Sequence, residues 1–226
     1  MPTPDEKLAA LLDTIAAAAR RSGRDPGAVR LCAVSKTFPA EAVQALADSG
    51  QRLFGESRVQ EAAAKIPALP AHLEWHLIGH LQKNKIRKAL PLFAAIHSVD
   101  SLGTAEQIDR VAAEEGRFPR VFLEVNLAAE SSKYGFPPDA LRAQFEALLA
   151  LGRLEIAGLM AIPPAAASAE ASRPHFARLR ELRDTLQEEF GVPLPELSMG
   201  MSGDYEIAVE EGSTIVRVGS ALFGER

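Results

Sequence analysis

The chain alternates between short apolar runs and longer segments in which apolar residues recur every three or four positions. The first short run, residues 31–35 (LCAVS), predicts a buried strand, and residues 39–49 predict a helix that ends at Gly50. This pairing repeats to the end of the sequence, and an amphipathic helix is predicted in front of it, at residues 5–21. The other predicted strands and the helices after them are residues 53–54 and 57–65, 74–78 and 82–89, 94–99 and 102–115, 121–126 and 138–151, 156–162 and 172–190, 196–199 and 204–210, and a last strand at 214–218.

Roughly eight strand-then-helix units are the number that a closed parallel barrel requires. We therefore predict an α/β protein with a single (β/α)8 TIM-barrel domain over residues 1–226 and an extra N-terminal helix. The competing fold is a doubly wound open sheet. Its usual dinucleotide-binding fingerprint, G-x-G-x-x-G after the first strand, is absent, and residues 34–38 (VSKTF) stand there instead.

Composition and charge narrow the classes of function that fit such a barrel. The 226 residues are 47% hydrophobic and carry 25 Lys and Arg against 30 Asp and Glu, a formal net charge of −5, which argues against general nucleic-acid binding. The N-terminus does not resemble a signal peptide, and no apolar run approaches the roughly 20 residues that span a bilayer. A single cysteine, Cys32, excludes a disulfide framework. The sequence thus predicts a cytoplasmic protein without membrane contact.

Chemistry in such barrels lies at the C-terminal ends of the strands, and Lys36 follows the first strand there. An amine at the end of an apolar run loses hydration, which favours its neutral form and allows it to form a Schiff base with a carbonyl compound. The alternative is a lysine that reaches past the strand end to solvent.

The loops after the last two predicted strands have the composition of a phosphate site. They are residues 198–203 (SMGMSG) and 218–222 (VGSAL), and they offer Gly219 for close backbone approach and the hydroxyls of Ser202 and Ser220. The alternative is two ordinary Gly/Ser turns and a helix cap. A lysine Schiff base beside a phosphate site suggests pyridoxal 5′-phosphate (PLP) or a phosphorylated sugar aldehyde as the ligand.

Arg217 lies in the last predicted strand, two positions before Gly219. If its side chain points inward, it can donate to the pyridine nitrogen of PLP and keep that nitrogen unprotonated. A structural ion pair with Glu56 or Glu124 is the alternative.

Two further patterns invite functional readings that the sequence does not favour. His72, His76 and His80 are four residues apart, as metal ligands on a helix would be, but the segment around them is predicted as a strand and Gly79 would break a helix. We therefore expect no metal site. The basic run at residues 83–88 lacks interleaved aromatic residues, so we interpret it as a solvated helix face.

Seven short motifs in fixed order resemble the pyridoxal phosphate homeostasis protein family, the YggS-like proteins. They are AVSKT at residues 33–37, FGE at 54–56, WHLIG at 75–79 with LQKNK at 81–85, SKYG at 132–135, GLMAIP at 158–163, LSMGMS at 197–202 and VRVGSALFG at 216–224. The resemblance implies a barrel of the alanine racemase N-terminal type with PLP as an internal aldimine on Lys36. The family usually has asparagine where this chain has Ser57. The resemblance implies phosphate contacts from Ser202, Gly219 and Ser220 and places Arg217 near the pyridine nitrogen. Together with residues at the predicted strand ends, the predicted cofactor-binding residues are Lys36, Ser57, His76, Met201, Ser202, Arg217, Gly219 and Ser220.

The resemblance further implies a monomeric, non-enzymatic carrier that buffers PLP in vitamin B6 and amino-acid homeostasis and hands it to apo forms of PLP-dependent enzymes. Racemases with this barrel carry a second, β-rich domain with a catalytic tyrosine, whereas this chain ends at Arg226 with Tyr134 and Tyr205 inside the barrel portion. Racemisation needs two bases, and Lys36 supplies only one.

A weak PLP-dependent racemase and a lysine aldolase acting on a phosphosugar are the alternatives. Lys83 and Lys133 lie in the family motifs and are either a secondary cofactor site or solvated surface lysines.

Overall fold

Eight parallel strands close into a barrel in the order in which they occur along the chain, with β8 pairing to β1. The structure is a computed structural model that describes residues 2–128, 134–164 and 167–224. The predicted (β/α)8 barrel is confirmed. The strands are β1 Arg30–Val34, β2 Leu53–Glu56, β3 Glu74–Leu77, β4 Ala95–Val99, β5 Arg120–Glu124, β6 Glu155–Met160, β7 Glu196–Ser198 and β8 Ile215–Val218.

Helices surround the barrel, and α1 precedes the first strand as predicted. Thr3 caps α1 in a reciprocal capping box with Glu6, and the helix contacts α8 and α9. No helix within the described ranges is long and apolar enough to cross a lipid bilayer. The helices are α1 Pro4–Arg21, α2 Ala40–Asp48, α3 Val59–Lys65, α4 Ile86–Ala89, α5 Leu102–Glu115, α6 Pro138–Leu149, α7 Arg173–Phe190, α8 Tyr205–Glu210 and α9 Ser220–Phe223.

The structure differs from the sequence prediction in three places. Residues 82–89 do not form one helix: a 3-10 turn, Lys83–Lys85, precedes the single α-turn α4. Several strands end one or two residues earlier than predicted, because the chain already turns into the loop; Ser35 and Ile78 still donate to the carbonyls of Gly55 and Glu56. The short α9 was not predicted, since four residues are too few for a helical period to be recognised.

Side chains alternate between the two faces of each strand, so the barrel has an outer and an inner core. The outer core joins strands to helices. The inner core fills the barrel interior and includes Cys32, Leu53, Ala95, Phe122, Ala157, Met160 and Ile215.

The N-terminal ends of the strands are closed by ion pairs. Arg30 pairs with Glu74 at 3.2 Å and with Glu196 at 3.0 Å. Arg120 pairs with Glu196 at 3.4 Å and with Glu155 at 3.1 Å. This end of the barrel is therefore charged, and the open end with the loops lies opposite.

Candidate functional site

A cavity of about 470 Å³ opens at the C-terminal end of the barrel, a volume in the usual range for small-molecule sites. It gathers all the residues predicted to bind a cofactor except His76. Its described lining residues are Val34, Lys36, Ser57, Ile78, Ile162, Met201, Ser202, Arg217, Gly219, Ser220 and Gly224.

Strand order brings Lys36 between the other polar groups of the cavity. β1 lies between β2 and β8, so the residue that follows β1 is flanked by Ser57 after β2 and by Gly219 after β8. The Lys36 side chain is half-buried. The apolar walls of the cavity come from Val34 and Ile78. The arrangement places one primary amine in a partly apolar cleft.

The loops after β7 and β8 meet at one side of the cavity. The Gly219 amide donates to Ser202 Oγ at 3.4 Å. A Cβ at Gly219 would lie 3.1 Å from the Val34 carbonyl oxygen, tighter than nine in ten real contacts, so glycine favours this close approach of the loop to β1. Asp204 holds the loop by accepting from the Met201 amide at 2.8 Å. Hydroxyls and amides thus converge on a small region, the donor set that a phosphate group requires.

Arg217 lines the cavity floor and is 4% exposed. It donates to Ser198 Oγ at 2.6 Å and to the Ala161 carbonyl oxygen at 3.0 Å. Among the described residues it forms no ion pair with either acidic partner considered from the sequence. Glu56 pairs with Lys65 instead. Because Arg217 is buried and lines the cavity, its side chain faces inward, as the cofactor interpretation requires.

A buried ion cluster behind Lys36 escaped the sequence analysis. Lys65 Nζ donates to Glu56 Oε1 at 2.6 Å, to Glu61 Oε1 at 3.1 Å and to the carbonyl oxygen of Ser35 at 2.9 Å. The Ser35 hydroxyl also donates to Glu56. Burial raises the pKa of Glu56, and the hydrogen bonds from Lys65 and Ser35 oppose that shift.

The same cluster holds the residue after Lys36. Thr37 adopts a left-handed backbone with φ of 69°, which is uncommon for a β-branched residue. Its amide donates to Glu61 Oε1 at 2.5 Å. The backbone on both sides of Lys36 is therefore fixed by one ion cluster, in which Lys65 and Glu56 are buried and Glu61 is partly exposed.

His76 does not line the cavity. Its two ring nitrogens lie 2.7 Å from Glu74 Oε1 and 2.8 Å from His97 Nε2, inside the barrel. The predicted contact of His76 with a cofactor stays a prediction, and its nitrogens already have partners. His72 contacts Arg52 and His80 pairs with Asp100. The three histidines thus have no partner in common.

The remaining candidate residues lie away from the cavity. Tyr134 stacks on His80 with ring centroids 3.8 Å apart, and Tyr205 lies in α8. Lys83 is exposed, and Lys133 lies outside the described residues. None of these described side chains lines the cavity.

Glu124 ends β5 beside the site, and its burial together with the nearby Asp100 raises its pKa to about 7 from 4.5. The folded protein therefore keeps a proton that the unfolded chain has lost, so stability falls as the pH rises from about 4.5 to about 7. Glutamine does not titrate. We expect E124Q to be more stable than the wild type by about 2 kcal/mol at pH 8.

The two proteins should match at pH 4, where Glu124 is protonated in both folded and unfolded states. Urea unfolding at the two pH values measures the difference. An equal effect of E124Q at both pH values would contradict the raised pKa.

The chain is similar to known proteins over nearly its whole length. The family model described as the N-terminal domain of alanine racemase matches residues 7–226. The pyridoxal phosphate homeostasis protein of Aquifex aeolicus (strain VF5) is 44% identical over 222 residues, which cover 98% of this chain and 97% of that protein. The protein of the same name from Pseudomonas aeruginosa is 44% identical over 229 residues, covering 100% of this chain and 97% of that protein. The structure of PipY from Synechococcus elongatus PCC7942 with PLP bound is 45% identical, has a TM-score of 0.86, and covers 98% of this chain and 100% of that chain.

Proposed function

Since the chain belongs to the pyridoxal phosphate homeostasis protein family, we propose that it binds PLP reversibly on Lys36 and thereby buffers the intracellular supply of this cofactor. The observation that carries the proposal is the convergence of Lys36, Ser202, Gly219 and Arg217 on one cavity. Lys36 matches the aldehyde of the ligand, Ser202 and Gly219 match its phosphate, and Arg217 matches its ring nitrogen.

The cavity fits PLP in volume and in chemistry. When bound, PLP supplies an electrophilic aldehyde carbon to the site. The Lys36 amine would attack this carbon, and condensation to a Schiff base would release one water molecule. Ser202, Ser220 and the Gly219 amide would hold the phosphate. Arg217 would donate to the ring nitrogen and keep it unprotonated, because a guanidinium group does not give up its proton in proteins.

We propose that bound PLP is held and released without robust turnover. Of the described residues that line the cavity, only Lys36 carries a base of useful strength, whereas racemisation needs a base on each face of the substrate carbon. In this proposal the protein is a cytoplasmic monomer, and the recipients of PLP are apo forms of PLP-dependent enzymes.

Reversible binding is tested by mixing the loaded protein with an excess of an apo PLP-dependent enzyme. We expect the enzyme to gain activity at the rate at which PLP leaves the barrel. Incubation of the loaded protein with a single amino-acid enantiomer should leave chirality unchanged. Robust racemisation would support the weak-racemase alternative and contradict the carrier.

The phosphate site predicts a difference between two ligands. S202A removes one hydroxyl donor to a doubly charged group, an interaction of about 1.5–3 kcal/mol. We expect the Kd for PLP to rise at least about tenfold and the Kd for pyridoxal, which lacks the phosphate, to stay nearly constant. Spectrophotometric titration with both ligands measures the two constants. An equal loss for both would place the phosphate elsewhere.

A further inference from the structure

A continuous series of hydrogen bonds runs through the barrel interior, from the charged N-terminal end to the cavity floor. Glu74 Oε1 lies 2.7 Å from His76 Nε2, and His76 Nδ1 lies 2.8 Å from His97 Nε2. His97 Nδ1 lies 2.8 Å from Ser198 Oγ, which lies 2.6 Å from a terminal nitrogen of Arg217. The polar groups of these residues thus cross a lumen that apolar side chains otherwise fill.

The direction of each bond follows from the two ends of the series, because the Arg217 guanidinium can only donate and an ionised Glu74 carboxylate can only accept. Ser198 Oγ accepts from Arg217. A second lone pair on this oxygen could also accept from His97, but each neutral ring must donate towards the Glu74 carboxylate, so the serine hydroxyl donates to His97 Nδ1. Burial and the neighbouring positive charges hold the pKa of His97 well below its usual value, so the ring is neutral. With Nδ1 accepting, the ring proton of His97 is on Nε2 and is donated to His76 Nδ1.

The same reasoning applies at the Glu74 end of the hydrogen-bond series. Burial lowers the pKa of His76, and with Nδ1 accepting, its proton is on Nε2 and is donated to Glu74. The hydrogen bond from His76 is the main cause that lowers the pKa of Glu74 to about 2, so this carboxylate is ionised. Every donor therefore points from Arg217 towards Glu74.

We propose that His76, His97 and Ser198 form a one-directional relay that couples the Glu74 carboxylate to the Arg217 guanidinium, so that Glu74 tunes the cofactor site from the opposite end of the barrel. His97 and Ser198 are positioning residues that hold the remaining N–H groups of Arg217 towards the cavity. The inference about the cofactor rests on the proposed function, whereas the tautomers of the two histidines do not.

The physical basis is the cost of a buried charge. Arg217 lacks an ion pair among the described residues, and an uncompensated buried charge is strongly unfavourable. Aligned hydrogen bonds polarise one another in a low-dielectric interior. A series of such bonds that ends at the Glu74 carboxylate therefore stabilises the distant charge of Arg217 better than isolated hydrogen bonds would. The other charged or titratable groups packed around the relay are Arg30, Cys32, Arg120 and Glu196, and the carboxyl groups of Glu124 and Asp204 act on Arg217 from the cavity end.

The first test uses the protein without cofactor. Long-range ¹⁵N–¹H NMR spectra identify the tautomer of each imidazole, and S198A and H97F assign the signals. We expect neutral rings protonated at Nε2 for both His76 and His97 from pH 6 to 8. A ring protonated at Nδ1, or a charged ring, in either residue would overturn the relay.

The second test measures the coupling to the cofactor site. In the loaded protein, E74Q removes the negative charge while keeping an acceptor, and we expect the pH midpoint of the visible absorbance change to fall by about 0.5 pH unit. Glu196 provides a matched control, because it lies at the same end and pairs with the same Arg30 but is not in the relay. E196Q should change the midpoint by less than half as much. Equal shifts in E74Q and E196Q would overturn the relay.

A conservative variant separates positioning from packing. S198A removes the acceptor of Arg217, and we expect about tenfold weaker PLP binding, whereas S198T, which keeps the hydroxyl, should restore most of it. Failure of S198T to restore binding while it remains folded would contradict the role of the hydroxyl. Absence of any visible band in the wild type would instead contradict the proposed function and leave the NMR result standing.

Discussion

K36A is expected to abolish the visible absorbance that PLP develops on the purified protein and to weaken PLP binding at least about 100-fold, because no other lysine among the described residues lines the cavity. The phosphate and ring contacts would remain, so weak non-covalent binding should persist. Spectrophotometric titration detects the loss of the band, and equilibrium dialysis measures the residual affinity.

Two variants serve as controls for K36A. K83A removes an exposed lysine outside the cavity and should bind PLP like the wild type. K36R keeps the positive charge but cannot condense with an aldehyde, so it should behave like K36A. A visible band of wild-type intensity in folded K36A would show that the cofactor is attached elsewhere.

K65M is expected to destabilise the fold by about 3 kcal/mol, because it leaves the carboxylate of Glu56 buried without its cation. The Glu56 side chain is fully buried, and its Oε2 already has no hydrogen-bond partner among the described residues. The variant also releases the carbonyl of Ser35, next to Lys36. Urea unfolding at pH 7 measures the loss of stability.

A second substitution tests the origin of this loss. E56Q added to K65M removes the unpaired charge, so the double variant should recover at least about 1 kcal/mol relative to K65M. E61Q alone should lower the free energy of unfolding by less than K65M does, because Glu61 is partly exposed. A K65M protein within about 0.5 kcal/mol of the wild type would show that the buried pair contributes nothing to stability.

Elements with local signals were predictable from the sequence. Helix α5 has the predicted bounds Leu102–Glu115, because Ser101 caps its start and Gly116 takes the left-handed conformation at its end. Residues 82–89 lack such signals, and there the prediction of one regular helix was wrong. The number of strand-helix pairs was sufficient to predict the barrel, because closure of the sheet depends more on the number of strands than on where each strand ends.

Two kinds of site residue were predictable from the sequence. Lys36 directly follows a predicted strand, and Gly219 lies in a glycine-containing loop after one. Contacts between side chains far apart in the sequence gave no signal. Lys65 is hydrogen-bonded to Ser35, 30 residues away in the sequence. His97 is hydrogen-bonded to Ser198, 101 residues away. His76 was included in the cofactor site because it lies near the end of the third predicted strand, residues 74–78. The structure places its ring deeper, inside the barrel and bonded to His97.

The most direct test of cofactor attachment is borohydride reduction of the PLP-loaded protein followed by peptide mapping with mass spectrometry. Reduction fixes PLP to the nitrogen that holds it. We predict one modified residue per chain, Lys36. Modification of another lysine with Lys36 unmodified, or no modification at all, would contradict the proposed function.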